Sequence, residues 1–177
     1  MAACEALRKF GIYEGVTEYI KTLPATVTQI FKFLIDEWSK EYTKQFVQDV
    51  TGVICASKDG LSENQINDIL TFQETKTGEA YEANFSRIYD SLASFLAAGG
   101  GGYLRFFHDQ LKYTVRNEFM NDEVEQKIHK LLADFFLSVI ETQYREIPNE
   151  DPMAYYHHSL NQLVYHQLRS RIEQACN

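Results

Sequence analysis

The sequence predicts a mainly α-helical chain interrupted by one short β-hairpin. Apolar residues recur at three- and four-residue spacing through most of the 177 residues. There are only 3 prolines to break such runs. One stretch, FLAAGGGGYLRFFHDQL (95–111), sets four glycines between an apolar helix end and a short alternating run.

Taken in order, ACEALRKFG near the N-terminus has Leu7 and Phe10 three apart and Gly11 as a stop, so it reads as a helix. It begins abruptly after a single Met, as though cut from something longer. Pro24 then breaks the chain, and Thr26 is placed to cap the next helix. From 27 to 42, Val27, Ile30, Phe31, Leu34 and Trp38 form one apolar stripe. A second helix over 44–56 turns Phe46, Val47, Val50, Val53 and Ile54 inward, with Cys55 as a small buried hydrophobe.

SKDG (57–60) is a turn. In LSENQINDIL (61–70), Ser62 followed three residues later by Gln65 predicts a capping box and a short third helix over 62–70. The polar stretch 73–84 reads as a loop. The next helix carries Phe85, Ile88, Tyr89, Leu92 and Leu96. After the glycines, Leu104 and Phe106 alternate with Arg105 and Phe107 as a strand. Helices follow over 109–121 and 122–142, the second with Val124, Ile128, Leu131, Leu132, Phe135 and Val139 in phase. A last amphipathic helix carries Leu160, Leu163, Val164, Leu168 and Ile172. Helices leading into a tight hairpin outline a winged-helix-like domain with a short β-hairpin wing, followed by additional helices.

Composition narrows the partners. With 17 Lys and Arg against 25 Asp and Glu, the formal charge is -8. A nucleic-acid binder needs surplus cations to displace counterions, and an acidic chain is repelled by anionic lipid. The 62–70 helix, in the place expected of a recognition element, holds Glu63 and Asp68 and neither Lys nor Arg. The expected partner is therefore protein, with no nucleic acid, membrane or small-molecule substrate. The 3 cysteines (Cys4, Cys55, Cys176) form no close pair, which fits a reducing, cytoplasmic setting. No apolar run reaches membrane-span length, and the N-terminus lacks a signal-peptide core.

The four glycines are not a phosphate loop. That loop needs Lys and a hydroxyl directly after its last glycine, where this chain has Tyr103 and Leu104. Glycine in a hairpin turn supplies positive φ instead. The turn delivers His108 to a strand-to-helix junction and Asp109 to the first turn of a helix, where its charge suits the dipole. From spacing alone His108 reads either as a structural hydrogen-bonding residue or as an outward donor.

Several ordered stretches resemble the winged-helix region of NACHT-type STAND NTPases, of the nephrocystin and telomerase-associated kind. Leu23-Pro24, Thr26-Val27, Glu41-Tyr42 and Gly60-Leu61-Ser62-Glu63 match the family's pattern, and FFHDQLKYTV (106–115) and HKLLADFF (129–136) resemble its later helices. The likeness runs over about 3–140 and more loosely over 155–170. It implies three parts: a helical connector over 1–25 from a missing nucleotide-binding domain, a winged-helix domain over 26–142, and a C-terminal helical segment over 143–177. It also implies that His108 senses the β-phosphate of ADP held by that other domain, with Asp109 as its positioning neighbour, as in the family's Met-His-Asp motif. Phe107 stands where that motif has Met, and no Walker A or Walker B sequence lies in these 177 residues. The chain is thus expected to be a non-catalytic regulatory module, with no cofactor of its own and ADP or ATP only through the missing domain. The alternative is a self-standing protein-interaction module.

Other constellations carry less. His157, His158 and His166 suggest a metal, but adjacent histidines on a helix point apart and no Cys or carboxylate sits at ligand spacing, so no metal is expected. His129 reads as a half-exposed helix residue. The stripe of the last helix needs covering, which makes Tyr156, Leu163, Tyr165 and Leu168 candidate partner-binding residues.

Overall fold

The computed structural model describes residues 24–81, 83–99, 102–146 and 152–175, with the backbone alone for 143–146, 152–156 and 172–175. The connector expected over 1–25 lies outside the described residues except for Pro24 and Ala25. The rest is mainly helical with one two-stranded antiparallel ribbon. The helices are α1 (Val27–Tyr42), α2 (Lys44–Ala56), α3 (Glu63–Thr77), α4 (Phe85–Leu92), α5 (Asp109–Phe119), α6 (Asp122–Glu146) and α7 (Pro152–Ala175). The strands β1 (Leu96–Ala98) and β2 (Leu104–Phe106) lie between α4 and α5.

Helix α2 is the centre. All of its residues from Phe46 to Ala56 except Gln48 are buried, because α1, α3, α5 and α6 pack around it. Gly52 makes one of those approaches possible: a Cβ there would stand 2.6 Å from Ile128 Cδ1 of α6. From α1 come Phe31, Leu34, Ile35 and Trp38, and from α6 Ile128, Leu132, Phe135 and Phe136. Burying each such side chain contributes about 1.5–3 kcal/mol before entropy is counted. Phe95, in the 3-10 turn after α4, meets both Phe31 and Trp38 edge-on at 5.9 and 5.8 Å and ties that turn to α1.

A buried carboxylate sits inside this core. Asp49 takes hydrogen bonds from Gln45 Nε2, Gln73 Nε2 (3.2 Å) and the Tyr81 hydroxyl (2.6 Å), which joins α2 to α3 and to the segment after it. Burial pushes the carboxyl above its usual range, although all three partners pull it down. Burial and the Asp49 carboxylate push the Tyr81 phenol up in turn.

The capping signals hold. Thr26 Oγ1 accepts from Gln29 N, and Ser62 and Gln65 exchange both bonds of the capping box. The third helix differs from its expected extent: it continues past residue 70 to Thr77 and ends on Gly78 at φ 74°. Gln73, Glu74 and Lys76 are good helix formers, and this turn is anchored by the Phe72–Phe135 ring contact and the Lys76–Asp134 ion pair. The following helix is shorter than expected. It stops at Leu92, passes through a 3-10 turn (Ala93–Phe95), and Leu96 opens β1.

One more rung lies on the outer edge of β2. Leu61, just ahead of α3, exchanges backbone bonds with Leu104 of β2 at 3.1 and 2.8 Å. The spatial order is therefore Leu61, β2, β1. Gly60 at φ 91° enables it, since a Cβ there would lie 2.8 Å from the Leu104 carbonyl oxygen. The helix entering the ribbon is α4 rather than the one over 62–70, and α4 carries one cation, Arg87, and one anion, Asp90.

Candidate functional site at the ribbon-to-helix junction

The ribbon pairs Leu96 with Phe106, Ala97 with Arg105 and Ala98 with Leu104. Gly99 N donates to Tyr103 O (2.9 Å) and Gly102 N to Gly99 O (3.2 Å), with Gly102 at φ 75°, so Gly99 and Gly102 belong to the turn. A last bond, Phe107 N to Phe95 O at 2.9 Å, holds the chain in register up to the residue before His108.

His108 is the N-cap residue of α5. Its carbonyl accepts from Leu111 N and Lys112 N, at 3.1 and 3.2 Å, and its side chain does not cap. Its ring lies 5.9 Å from the buried Phe31 ring and 4.8 Å from that of Phe107. The imidazole is half-buried and leans on α1 instead of projecting freely outward. Its Nε2 is covered and has no hydrogen-bond partner in the protein. A ring nitrogen in that condition costs about 1–3 kcal/mol. Asp109, exposed in the first turn of α5, does not hydrogen-bond the ring. Phe107 and Tyr113 nearby are each 61% exposed, large apolar surfaces on either side of the junction.

The candidates on the last helix separate. Leu163 is buried in the core, so it is spent on packing α7 against the body. Tyr165 is half-buried, edge-on to the rings of His129 and His166 at 5.8 and 5.0 Å. Leu168 is 57% exposed, and Val164 beside it 55%. The side chain of Tyr156 lies outside the described residues.

The histidines also part. His157 contacts Asn161, His158 stacks on Tyr103 with centroids 3.9 Å apart, and His166 is fully buried. Among the described residues no group of three or more His, Cys, Asp or Glu is gathered to hold a metal. His129, expected half-exposed, is 1% exposed, with its Nδ1 at 2.6 Å from His166 Nδ1. Its phase was visible: His129, Leu132 and Phe136 fall at i, i+3 and i+7, the spacing of one buried face. The partner 37 residues on carried no such signal. No helix of the described residues is long and apolar enough to cross a membrane.

No protein-family model and no solved structure matches the chain. Among curated proteins it is similar to telomerase protein component 1 of Mus musculus, 24% identical over 189 aligned residues. The alignment covers 93% of this chain and 7% of that protein, so the chain spans a small fraction of its relative's length.

Proposed function

We propose that this chain is a non-catalytic regulatory module, the winged-helix region of a NACHT-type STAND ATPase, which couples nucleotide state to protein assembly. The rung order Leu61, β2, β1 behind α2, α3 and α4 supports the winged-helix reading. The similarity to a much longer protein supports a segment that works against neighbouring domains.

The observation that carries the proposal is the unpartnered Nε2 of His108, at the point where the ribbon hands over to α5. A phosphate oxygen of ADP on an adjoining domain would supply the missing partner through a charge-assisted bond, roughly twice as strong as a neutral one. The ring must rotate away from Phe31 to reach it, and the cost of the orphaned nitrogen favours that rotation. Phe107 and Tyr113 would meet the same neighbour with apolar surface. Such a contact biases a closed state over an open one by its differential free energy. The cellular setting in this reading is the cytoplasm, and the net charge of -8 argues for protein as the partner over nucleic acid or anionic membrane.

A second reading, a self-standing interaction module, draws on Val164 and Leu168, exposed side by side on α7. The two readings divide on the transcript upstream of Met1. The regulatory reading expects an in-frame sequence encoding G-x-x-x-x-G-K-[ST] there. An upstream stop codon with no such sequence leaves only the interaction module.

A further inference from the structure

The face that α7 turns to the body is unusually polar. Its buried described side chains are Gln162, Leu163 and His166, so only one of the three is apolar. Gln162 reads the 58–60 turn in both senses: Oε1 accepts from Lys58 N (3.2 Å), and Nε2 donates to Gly60 O (3.3 Å). Those backbone groups fix which end of the amide is oxygen.

The protons of the next residues follow. His166 Nε2 faces Gln162 Oε1 at 3.2 Å, so it carries the hydrogen. His166 Nδ1 is then a lone pair, and accepts from His129 Nδ1–H across 2.6 Å. His129 Nε2 faces Glu125 of α6 at 3.7 Å. Glu125 is also met by Arg116 of α5 (2.5 Å) and by Arg169 of α7 (3.7 Å). The Tyr165 ring lies edge-on to both imidazoles.

This chain has room for one added proton, on His129 Nε2 facing the Glu125 carboxylate. It has no room for a second, because with both rings charged the two Nδ1–H bonds would point at each other across 2.6 Å. We propose that α7 is a displaceable clamp, held by the Gln162–His166–His129 chain and released when His166 takes a proton while His129 is also charged. Release frees more than the helix. Gln162 lets go of the 58–60 turn, and His158 leaves Tyr103 in the hairpin, so both flanks of the Leu61–Leu104 rung lose a contact together. The proposal stands independently of the nucleotide reading.

The sign of the pH dependence follows from the same groups. Burial, and after it the neighbouring His129, hold His166 down to about 3, whereas a released imidazole has an ordinary value of about 6.5. The docked state therefore holds one proton fewer than the released state between those values. Docking is at full strength above about pH 6.5 and weakens about tenfold per pH unit below it. His158 is also held below its ordinary value, mainly by burial, with Asp59 raising it and His157 lowering it, so it adds in the same direction.

Amide hydrogen exchange on the full 177-residue chain at pH 7.5, 6.0 and 5.0 tests this, with protection factors corrected for intrinsic rates and referred to the amides of α2. Protection of α7 should fall about tenfold per unit below pH 6.5, while α2 holds. His166→Gln offers an acceptor and a donor without a titrating ring. It should keep α7 protected at pH 7.5 and flatten the slope. Equal slopes in the two proteins, or α7 protection unchanged to pH 5.0, would overturn the proposal. If the variant loses α7 at every pH, an NMR titration of the wild-type histidine rings decides instead. His166 titrating in step with the α7 amides supports the clamp. Titration near pH 6.5 with those amides unmoved refutes it.

Discussion

Gly60 and Gly78 both sit at positive φ, and their surroundings separate two costs. At Gly78 a Cβ would meet nothing within 4 Å, so Gly78→Ala incurs only the left-handed penalty, about 1 kcal/mol. At Gly60 the same penalty is joined by a carbonyl oxygen 2.8 Å away that belongs to the Leu61–Leu104 rung. Gly60→Ala should cost at least about 2 kcal/mol, from the left-handed strain together with that clash. Urea melts of the two variants should fall in that order; a larger loss at Gly78 would mean that the rung does not constrain the turn. The turn role of Gly102 was legible at this scale, because hairpin geometry asks for positive φ. The resting place of the His108 ring was not. Sequence places a residue at a junction, but whether its side chain leans on Phe31 or points away is decided by packing between α1 and α5. His129 and His166 show the same limit more sharply, since two residues on different helices share one buried bond.

At the scale of elements, local signals set the beginnings of helices better than their ends. Thr26, Ser62 with Gln65, and the stripe of α1 were legible because a cap or a repeat lies within a few residues. The end of α3 was not. Its last turn is polar on the page and helical in the fold, held by Phe72 on Phe135, Gln73 on Asp49 and Lys76 on Asp134. The capping box is a local device, and its removal has a local price. Ser62→Ala should lower stability by about 1 kcal/mol while leaving the fold intact. Thermal melts with unchanged helical circular dichroism at 20 °C check this; a cost near zero would mean that the Leu61 rung alone sets the start of α3. That substitution removes the Gln65 N to Ser62 Oγ bond at 3.2 Å and keeps the backbone N–H of residue 62 that donates to Gln65 Oε1 at 3.0 Å.

For the whole molecule, one buried helix organises the rest. With α2 enclosed by α1, α3, α5 and α6, the ribbon is attached on one flank and α7 on another, and His108 sits where the ribbon joins α5. The helical class, the hairpin and the acidic balance could be read directly from residues 24–142. The way α7 docks could not, because its stripe of Leu163, Val164 and Leu168 divides, with Leu163 facing inward and the other two outward. What connects the two ends structurally is the rung at Leu61 and Leu104, contacted by α7 through Gln162 and His158 and continued along β2 towards His108.

In the proposed reading the imidazole of His108 completes its hydrogen bonding on a nucleotide held by a neighbouring domain. The dissociation rate of ADP from the intact gene product, with and without His108→Ala, tests it most directly. Loss of one charge-assisted bond of about 1.5–3 kcal/mol should speed release about ten- to a hundredfold and favour assembly. An ADP release rate unchanged by the substitution would contradict the claim.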